Sequence, residues 1–210
     1  ICGGSSRYHG SQGSSVLKLF GLTAASTGIN EKAAQAAGIA YDKVVLFPAS
    51  HATYYPGAQS MAMKVLYEKE SLRLLGAQIV GGNGVDKRID VLATAIRAKM
   101  TALELTELDL SYAPPYSSAK DPVNMAGFMI EDLESGKVQQ FHWDEVDGLP
   151  HDGSASLLDV RTAWEYQRGH LDGFRNVLLD DLREYLDELD RGKPVYVNCQ
   201  TGLRSYLACR

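Results

Sequence analysis

Cys199 ends a β-rich run, Val195-Tyr-Val-Asn198, and opens the segment Cys199-Gln200-Thr201-Gly202-Leu203-Arg204-Ser205. A strand that delivers a cysteine into a short, glycine-containing loop can aim several backbone N–H groups at one point. A helix able to begin at Arg204-Ser205 adds partial positive charge there. A thiol at such a point is expected to have a depressed pKa and to act as a nucleophile. The plainer reading of a lone cysteine at a strand end is a core residue, since free cysteine is among the most buried residue types. The spacing to Gly202 and Arg204 favours the nucleophile. Upstream, Leu157-Leu-Asp159-Val-Arg161 reads as a strand ending in an ion pair that fixes its end. His170, in Arg168-Gly-His170-Leu-Asp-Gly173, reads as a hydrogen-bonded structural residue rather than a base.

A second group of polar aromatics lies earlier in the chain. Tyr54 and Tyr55 sit in His51-Ala-Thr-Tyr-Tyr-Pro-Gly-Ala58, and Tyr112 opens Tyr112-Ala-Pro-Pro-Tyr116. By propensity both stretches are loops with aromatic plugs, each tyrosine packed with its hydroxyl satisfied.

The elements that must position these groups fall into two styles. Residues 1–15 are rich in Gly and Ser and read as a surface segment or linker. Val16–Phe20 is a strand candidate. Asn30 caps a helix over Glu31–Ala37 that Gly38 stops. Lys43–Phe47 is a strand ended by Pro48. Met61–Tyr67 and Leu72–Val80, joined by a charged turn, form an antiparallel hairpin. Asp86–Met100 is an amphipathic helix with Ile89, Leu92, Ala93 and Ile96 inward and Lys87, Arg88, Arg97 and Lys99 available to solvent. Thr101 and Glu104 form a capping box opening another helix, which ends before the paired prolines. Residues 16–130 therefore read as α+β, an antiparallel sheet with helices on one side. Residues 131–137 are a polar connection. From 138 onward strands over 138–143, 155–160 and 195–198, with a helix over 182–189, point to a parallel α/β sheet.

Composition excludes several classes. The 210 residues suit one large domain or two small ones. A net charge of -5 without any basic run opposes nucleic-acid binding. No apolar run reaches membrane-spanning length, and Ile1-Cys-Gly-Gly-Ser-Ser does not read as a signal peptide. Cys2, Cys199 and Cys209 make no zinc spacing and no disulfide framework, so no metal site is expected and a reducing cytoplasm is the simplest setting. The chain starts without methionine and stops at Arg210, a few residues into the helix expected after Cys199, so it reads as a fragment of a longer protein.

Taken together, the Asp159-Val-Arg161 strand end, the Gly169-His170 pair and the Cys199-x-x-Gly202-x-Arg204-Ser205 loop resemble the rhodanese (sulfurtransferase) domain, over residues 138–210. The resemblance implies that Cys199 carries a persulfide sulfur within the loop Gln200–Ser205, that Arg204 orients an anionic sulfur donor or acceptor, and that Asp159, Arg161 and His170 support them. Four residues separate Cys199 from Arg204. Protein tyrosine phosphatases use a longer loop, and the tighter ring of amides suits sulfur better than a phosphoryl group. Such a domain should continue past Arg210, so its activity when cut there is open.

The two tyrosine loops, with the Gly76–Gly81 strand and the Asp86-Lys-Arg-Ile-Asp-Val helix, resemble the dimerisation domain of flavin-dependent pyridine nucleotide–disulfide oxidoreductases, in the coenzyme A-disulfide reductase and NADH oxidase-like branch. This resemblance covers nearly all of residues 6–130, and some members carry a C-terminal rhodanese domain in this order. It implies a homodimer in which Tyr54 or Tyr55, with Tyr112, reaches the partner's redox centre. There a tyrosine hydroxyl would bond a thiolate or protonate a departing one. It implies FAD and NAD(P)H in the intact enzyme, with coenzyme A a candidate, acting on a small-molecule disulfide, persulfide or polysulfide. No G-x-G-x-x-G follows a strand here, and the redox-active cysteine would lie in the absent part, Cys2 being a poor substitute. FAD is therefore not expected to bind this chain alone. The rival reading is a dimerisation and assembly module with an inactive or regulatory rhodanese domain.

Overall fold

The computed structural model describes residues 3–210, so Cys2 lies outside the described residues. Two compact units follow each other, Ile1–Glu131 and Asp132–Arg210.

The first unit is an antiparallel sheet covered by helices. Its strands are β1 (Ser15–Leu19), β2 (Leu22–Gly28), β3 (Tyr41–Leu46), β4 (Met61–Glu68) and β5 (Leu74–Gly81), in the order β1-β2-β5-β4-β3. Register brings the alternating residues into rows across the sheet. Ala25, Ile79, Met63 and Leu46 form one row, and Thr27, Ala77, Val65 and Val44 the next. Five of these eight side chains are large or β-branched apolar groups, which fits the period-two pattern of a half-covered sheet. Between β2 and β3, α1 (Glu31–Ala36) starts as its sequence predicts, with Asn30 Oδ1 accepting from the Ala33 amide at 2.9 Å. Glu31 ties this helix to the sheet through Lys43 and Lys64, each at 2.7 Å. Burial pushes the Glu31 carboxyl up, but the two ammonium groups outweigh it and hold its pKa at about 2.

The main helix, α2 (Val85–Arg97), packs on β2 and β5. Strand β2 was absent from the sequence reading because its buried positions hold only Ala25 and Thr27, small residues that leave room for the helix. The helix ends before the expected Met100. Lys99 turns left-handed at φ 63°, and the Met100 amide reaches back to the Ala95 carbonyl at 3.0 Å, closing the last turn. Arg88, expected in solvent, is instead 1% exposed beside Ile89 and Leu92. The Thr101–Glu104 capping box forms, but it opens a short 3-10 turn, Leu103–Glu107, rather than an α-helix. A helix the sequence reading lacked, α3 (Pro122–Glu134), follows. Its signal was present: Asp121 caps it, accepting from the Val123 amide at 3.0 Å, and Pro122 occupies the first position. It runs through Glu134, so the first half of the expected polar connection 131–137 is helical.

The second unit has a parallel sheet, with β6 (Ser156–Asp159) between β7 (Arg175–Asn176) and β8 (Val195–Asn198). Helices α4 (Ala163–Gln167), α5 (Leu182–Tyr185) and α6 (Leu203–Cys209) surround it. Leu158, Val177 and Leu182 form its buried centre. The expected strand over 138–143 is not formed. That stretch is irregular until Trp143–Gly148 coils into a 3-10 turn, held by Glu145 accepting from the His142 amide at 2.6 Å. The expected helix over 182–189 is α-helical only to Tyr185 and continues as a 3-10 turn over Leu186–Glu188. Among the described residues no helix is long and apolar enough to cross a membrane.

The tightest backbone approach in the first unit is at Gly76, where an added Cβ would overlap the Ile29 carbonyl, which is backbone and cannot swing away. Gly21 has open space around its Cβ position. Gly76→Ala is therefore expected to destabilise the first unit by about 2 kcal/mol, as overpacking does. Gly21→Ala should stay within about 0.5 kcal/mol of the parent. Urea unfolding followed by far-UV circular dichroism decides, and indistinguishable midpoints for the two variants would refute the steric account.

Candidate functional site

In the second unit the strand β8 ends at Asn198, and the next residue is the cysteine. The loop from Cys199 turns at Gly202, where φ is 92°, a backbone conformation costly for residues with a Cβ. That turn folds the chain back over the sulfur. Cys199 Sγ accepts from the Gly202 amide at 3.2 Å and the Ser205 amide at 3.4 Å, and the Ser205 hydroxyl lies 3.5 Å away. Burial pushes the thiol pKa up. The Ser205 hydroxyl and the amides of Ser205, Thr201 and Gly202 outweigh it and hold the pKa below the ordinary thiol value. Gln200, Thr201, Gly202 and Leu203 are exposed and form the rim, so the sulfur is half-buried in a ring open to solvent. Such a site can hold a thiolate, or a sulfur atom attached to it, without a metal.

The guanidinium of Arg204 faces a partner that the sequence reading did not assign. Its Nη1 and Nη2 donate to Glu165 Oε2 and Oε1 at 2.8 and 2.7 Å. Glu165 also accepts from the Thr162 amide and hydroxyl, at 2.9 and 2.8 Å, as the second half of a capping box on α4. Hydrogen bonds from Arg204 and then Thr162 hold the Glu165 carboxyl far below the usual carboxylate range. Arg204 is in turn stabilised as a cation, first by Glu165, with the Cys199 thiolate adding a smaller contribution. The signal for Glu165 was legible as Thr162-x-x-Glu165.

Asp159 and Arg161 form the ion pair their spacing suggests. Arg161 Nε and Nη2 both bond the Asp159 carboxylate, at 3.0 and 2.7 Å, and Asp159 is fully buried. Arg161 Nη2 also donates to the Gly169 carbonyl at 2.9 Å, tying the strand end to the Gly169-His170 corner. His170 stacks on Tyr166 with ring centroids 3.8 Å apart and bonds the Tyr166 carbonyl through Nδ1 at 3.1 Å. Asp159, Arg161 and His170 thus tie the end of β6 to the Gly169-His170 corner.

In the first unit the two tyrosine loops meet. The Tyr54 and Tyr112 hydroxyls are 2.7 Å apart, although 75% and 47% of the two residues is exposed. The hydrogen bond with Tyr54 is the main cause that raises the Tyr112 pKa. Tyr55 does not join them; its ring packs edge-on against His51 at 5.8 Å. The sequence left Tyr54 and Tyr55 equivalent, and the fold separates them. Both loops are anchored from below by Arg88, whose Nη2 donates to the Ser50 carbonyl at 3.0 Å and the Tyr116 carbonyl at 3.2 Å. Sequence reasoning missed this residue, although an arginine in line with Val85, Ile89 and Leu92 on one helix face asks for a buried acceptor.

Comparison with known proteins agrees with both halves. Residues 15–122 match the family described as pyridine nucleotide-disulphide oxidoreductase, dimerisation domain, and residues 142–210 match the rhodanese-like domain. A coenzyme A disulfide reductase of Staphylococcus haemolyticus is 43% identical over 126 residues, which is 60% of this chain and 28% of that protein. The crystal structure of reduced Bacillus anthracis CoADR-RHD superposes with a TM-score of 0.91 at 46% identity, covering 98% of this chain and 37% of that one. The structure of an NAD-dependent persulfide reductase from A. fulgidus gives a TM-score of 0.87 at 40% identity, covering 99% and 37%. This chain thus spans 28% of the length of that curated relative and 37% of each of those solved chains. With an antiparallel sheet carrying paired tyrosines and a parallel sheet carrying the cysteine loop, the chain belongs to the pyridine nucleotide-disulphide oxidoreductase family through its dimerisation domain, here followed by a rhodanese-like domain.

Proposed function

We propose that this chain is the C-terminal part of an NAD(P)H-dependent flavoprotein that reduces a small-molecule disulfide, persulfide or polysulfide, coenzyme A being one such thiol, and that Cys199 is its sulfur carrier. In this reading residues 1–15 are the tail of a flavin domain, 16–130 the dimerisation domain, 131–137 the connection and 138–210 the rhodanese domain. The protein works as a homodimer in a reducing cytoplasm. One observation carries the sulfur assignment: Cys199 Sγ accepts from the Gly202 and Ser205 amides at the turn after β8.

The transfer step follows from that geometry. The Cys199 thiolate attacks the outer sulfur of a persulfide, R–S–S⁻. The S–S bond of the donor breaks, R–S⁻ leaves and takes a proton, and Cys199–S–S⁻ forms. An acceptor thiolate reverses the step, so no net oxidation occurs. Loop amides stabilise the anion at both stages. Arg204, with its terminal nitrogens bound to Glu165, acts as a fixed cation beside the sulfur. Asp159, Arg161 and His170 hold the frame, and Gln200, Thr201 and Leu203 meet the incoming molecule at the rim.

Tyr54 and Tyr112 serve the other reaction. When a disulfide is cleaved, the departing thiolate needs a proton, and a paired tyrosine hydroxyl supplies it. Tyr55, packed on His51, lies outside this role. FAD and NAD(P)H supply the electrons in such enzymes, but the described residues do not fit either dinucleotide: the only parallel strands belong to the short β7-β6-β8 sheet, and none leads into a G-x-G-x-x-G turn. Against an inert rhodanese module stands the Cys199 loop, whose donors converge on the sulfur.

Two measurements test the sulfur assignment. Iodoacetamide is expected to label Cys199 faster at neutral pH than a model thiol, since a lowered pKa raises the thiolate fraction there. Ser205→Ala should move the midpoint of the labelling profile to higher pH. In the intact enzyme, sulfur transfer from thiosulfate to a thiol should vanish in Cys199→Ser, and full turnover in that variant would sink the assignment. For the tyrosines, Tyr54→Phe and Tyr112→Phe should each lower kcat for disulfide reduction by about 100-fold, the low end for loss of a general acid, whereas Tyr55→Phe should retain it. Equal activity in all three would remove the pair from the mechanism.

A further inference from the structure

We infer that Arg88, on α2, is the positioning residue that holds the Tyr54 and Tyr112 hydroxyls together, although it bonds to neither. The inference rests on the proposal that these hydroxyls act on the substrate, and it names what sets their geometry.

The Tyr54 loop is closed at its base by Ser50 and Gln59. The Ser50 amide donates to the Gln59 carbonyl at 2.8 Å, and the Gln59 amide donates to Ser50 Oγ at 3.1 Å. The Tyr112 loop turns at Ala113, whose carbonyl accepts from the amides of Tyr116 and Ser117 at 2.9 and 3.1 Å. One backbone bond joins the loops directly, from the Ala52 amide to the Ser117 carbonyl at 3.0 Å. Beneath this single joint lies the Arg88 guanidinium. Nη2 reaches Ser50 O, Tyr116 O and Ser117 Oγ at 3.0, 3.2 and 3.3 Å. Nε and Nη2 grip Asp121 Oδ2 at 3.2 and 3.0 Å, and Nη1 takes the Gly84 carbonyl at 3.1 Å. A Cβ on Gly84 would collide with the guanidinium, so the glycine-rich turn before α2 is shaped around it.

Arg88 thus bonds a backbone carbonyl in each loop and the carboxylate that starts α3. A planar fork with several donors can do this, and a lysine ammonium cannot span the same acceptors. Lys87 is the other cation at this place, its Nζ lying 3.7 Å from Asp121 Oδ2 and 3.4 Å from the Ser111 carbonyl. It is partly exposed and holds only the Tyr112 side. Tyr54 is largely exposed and Tyr112 about half exposed, so ring packing gives only weak control of the distance between the hydroxyls. The loops beneath them must supply the rest.

The test follows Tyr112 itself. With 3-fluorotyrosine in the protein, the Tyr112 fluorine resonance is assigned by its loss in Tyr112→Phe, and its pH titration is recorded. Tyr54→Phe, which removes the bonded partner, should lower the Tyr112 midpoint and sets the scale. Arg88→Ala and Arg88→Lys should both lower it in the same direction while Tyr54 is still present. Leu92→Ala, on the same helix but without a tether to either loop, should leave it in place at a comparable loss of melting temperature. If Arg88→Ala does not fold, Arg88→Lys, which keeps a cation against Asp121, decides the matter. A wild-type Tyr112 midpoint in folded Arg88→Lys overturns the inference, and so does an equal shift in Leu92→Ala. In the intact enzyme, Arg88→Lys should cost up to about 100-fold in disulfide reduction, the scale of a misplacement by an ångström. If the tyrosine variants retain reductase activity, the proposed function fails, while the resonance titration still decides the role of Arg88.

Discussion

A guanidinium sealed inside the first unit is the constraint on which the rest of that unit depends. A buried charge is tolerated only when it is paired and its donors are satisfied, and removing one partner of such a pair typically costs about 3–5 kcal/mol. Arg88 therefore dictates where acceptors must be. Asp121 answers with its carboxylate, and burial, which pushes that carboxyl up, is outweighed by the Val123 amide, the Ser117 hydroxyl and Arg88. The remaining donors are met by the backbone of Ser50, Gly84 and Tyr116. Three connections that are far apart in sequence become one rigid floor. The sheet supplies apolar burial, but this ionic floor decides which way the two loops face.

The second unit uses the same device in a wetter setting. Asp159 and Arg161 fix the end of β6, and Glu165 holds Arg204 against α4. The Asp159–Arg161 pair is nearly as enclosed as the Arg88 pair, whereas Arg204 and Glu165 are more open, so solvent screens that second pair and reduces its contribution to stability. Their effect is on direction. The Arg204 fork is set two-pronged on one carboxylate, which itself is pinned by the Thr162 cap. The cation beside the sulfur cannot wander, and the loop amides need not reorganise when charge appears on sulfur.

Much of this was legible in the sequence because local signals and the final fold agree. The hairpin of β4 and β5, the Asn30 cap, the amphipathic α2 and the cysteine loop were each written in residues a few positions apart. What escaped depends on distant partners. β2 lacks large apolar residues because a helix presses on it. Arg88 was assigned to solvent because charge normally implies exposure, and its acceptors lie 33 residues on at Asp121 and 38 residues back at Ser50. Glu165 was visible as a helix cap, yet its second task, toward Arg204, lies 39 residues away. Tyr54 and Tyr55 are adjacent and chemically identical, so only the fold separates the one that meets Tyr112 from the one that packs on His51. The expected strand over 138–143 failed for the opposite reason, since the His142–Glu145 cap offers the backbone a local alternative to a sheet.

The two sites differ in how complete they are within one chain. Cys199 has its donors from its own loop, and burial already works against water at the sulfur. In the proposed role, a thiolate held this way draws its stabilisation from its own loop. The tyrosine pair is different. A phenol hydroxyl open to water is a weak proton donor to a thiolate, because water competes for both groups and screens their interaction. In the proposed role, Tyr54 and Tyr112 therefore gain chemical force only when another surface covers them and excludes solvent. A dimerisation domain is the natural place for such a half-site, since the covering surface and the reacting sulfur would then arrive together. The buried Arg88 floor fits this division: it keeps the exposed hydroxyls in register before anything has closed over them, so that association need not also pay for ordering the loops.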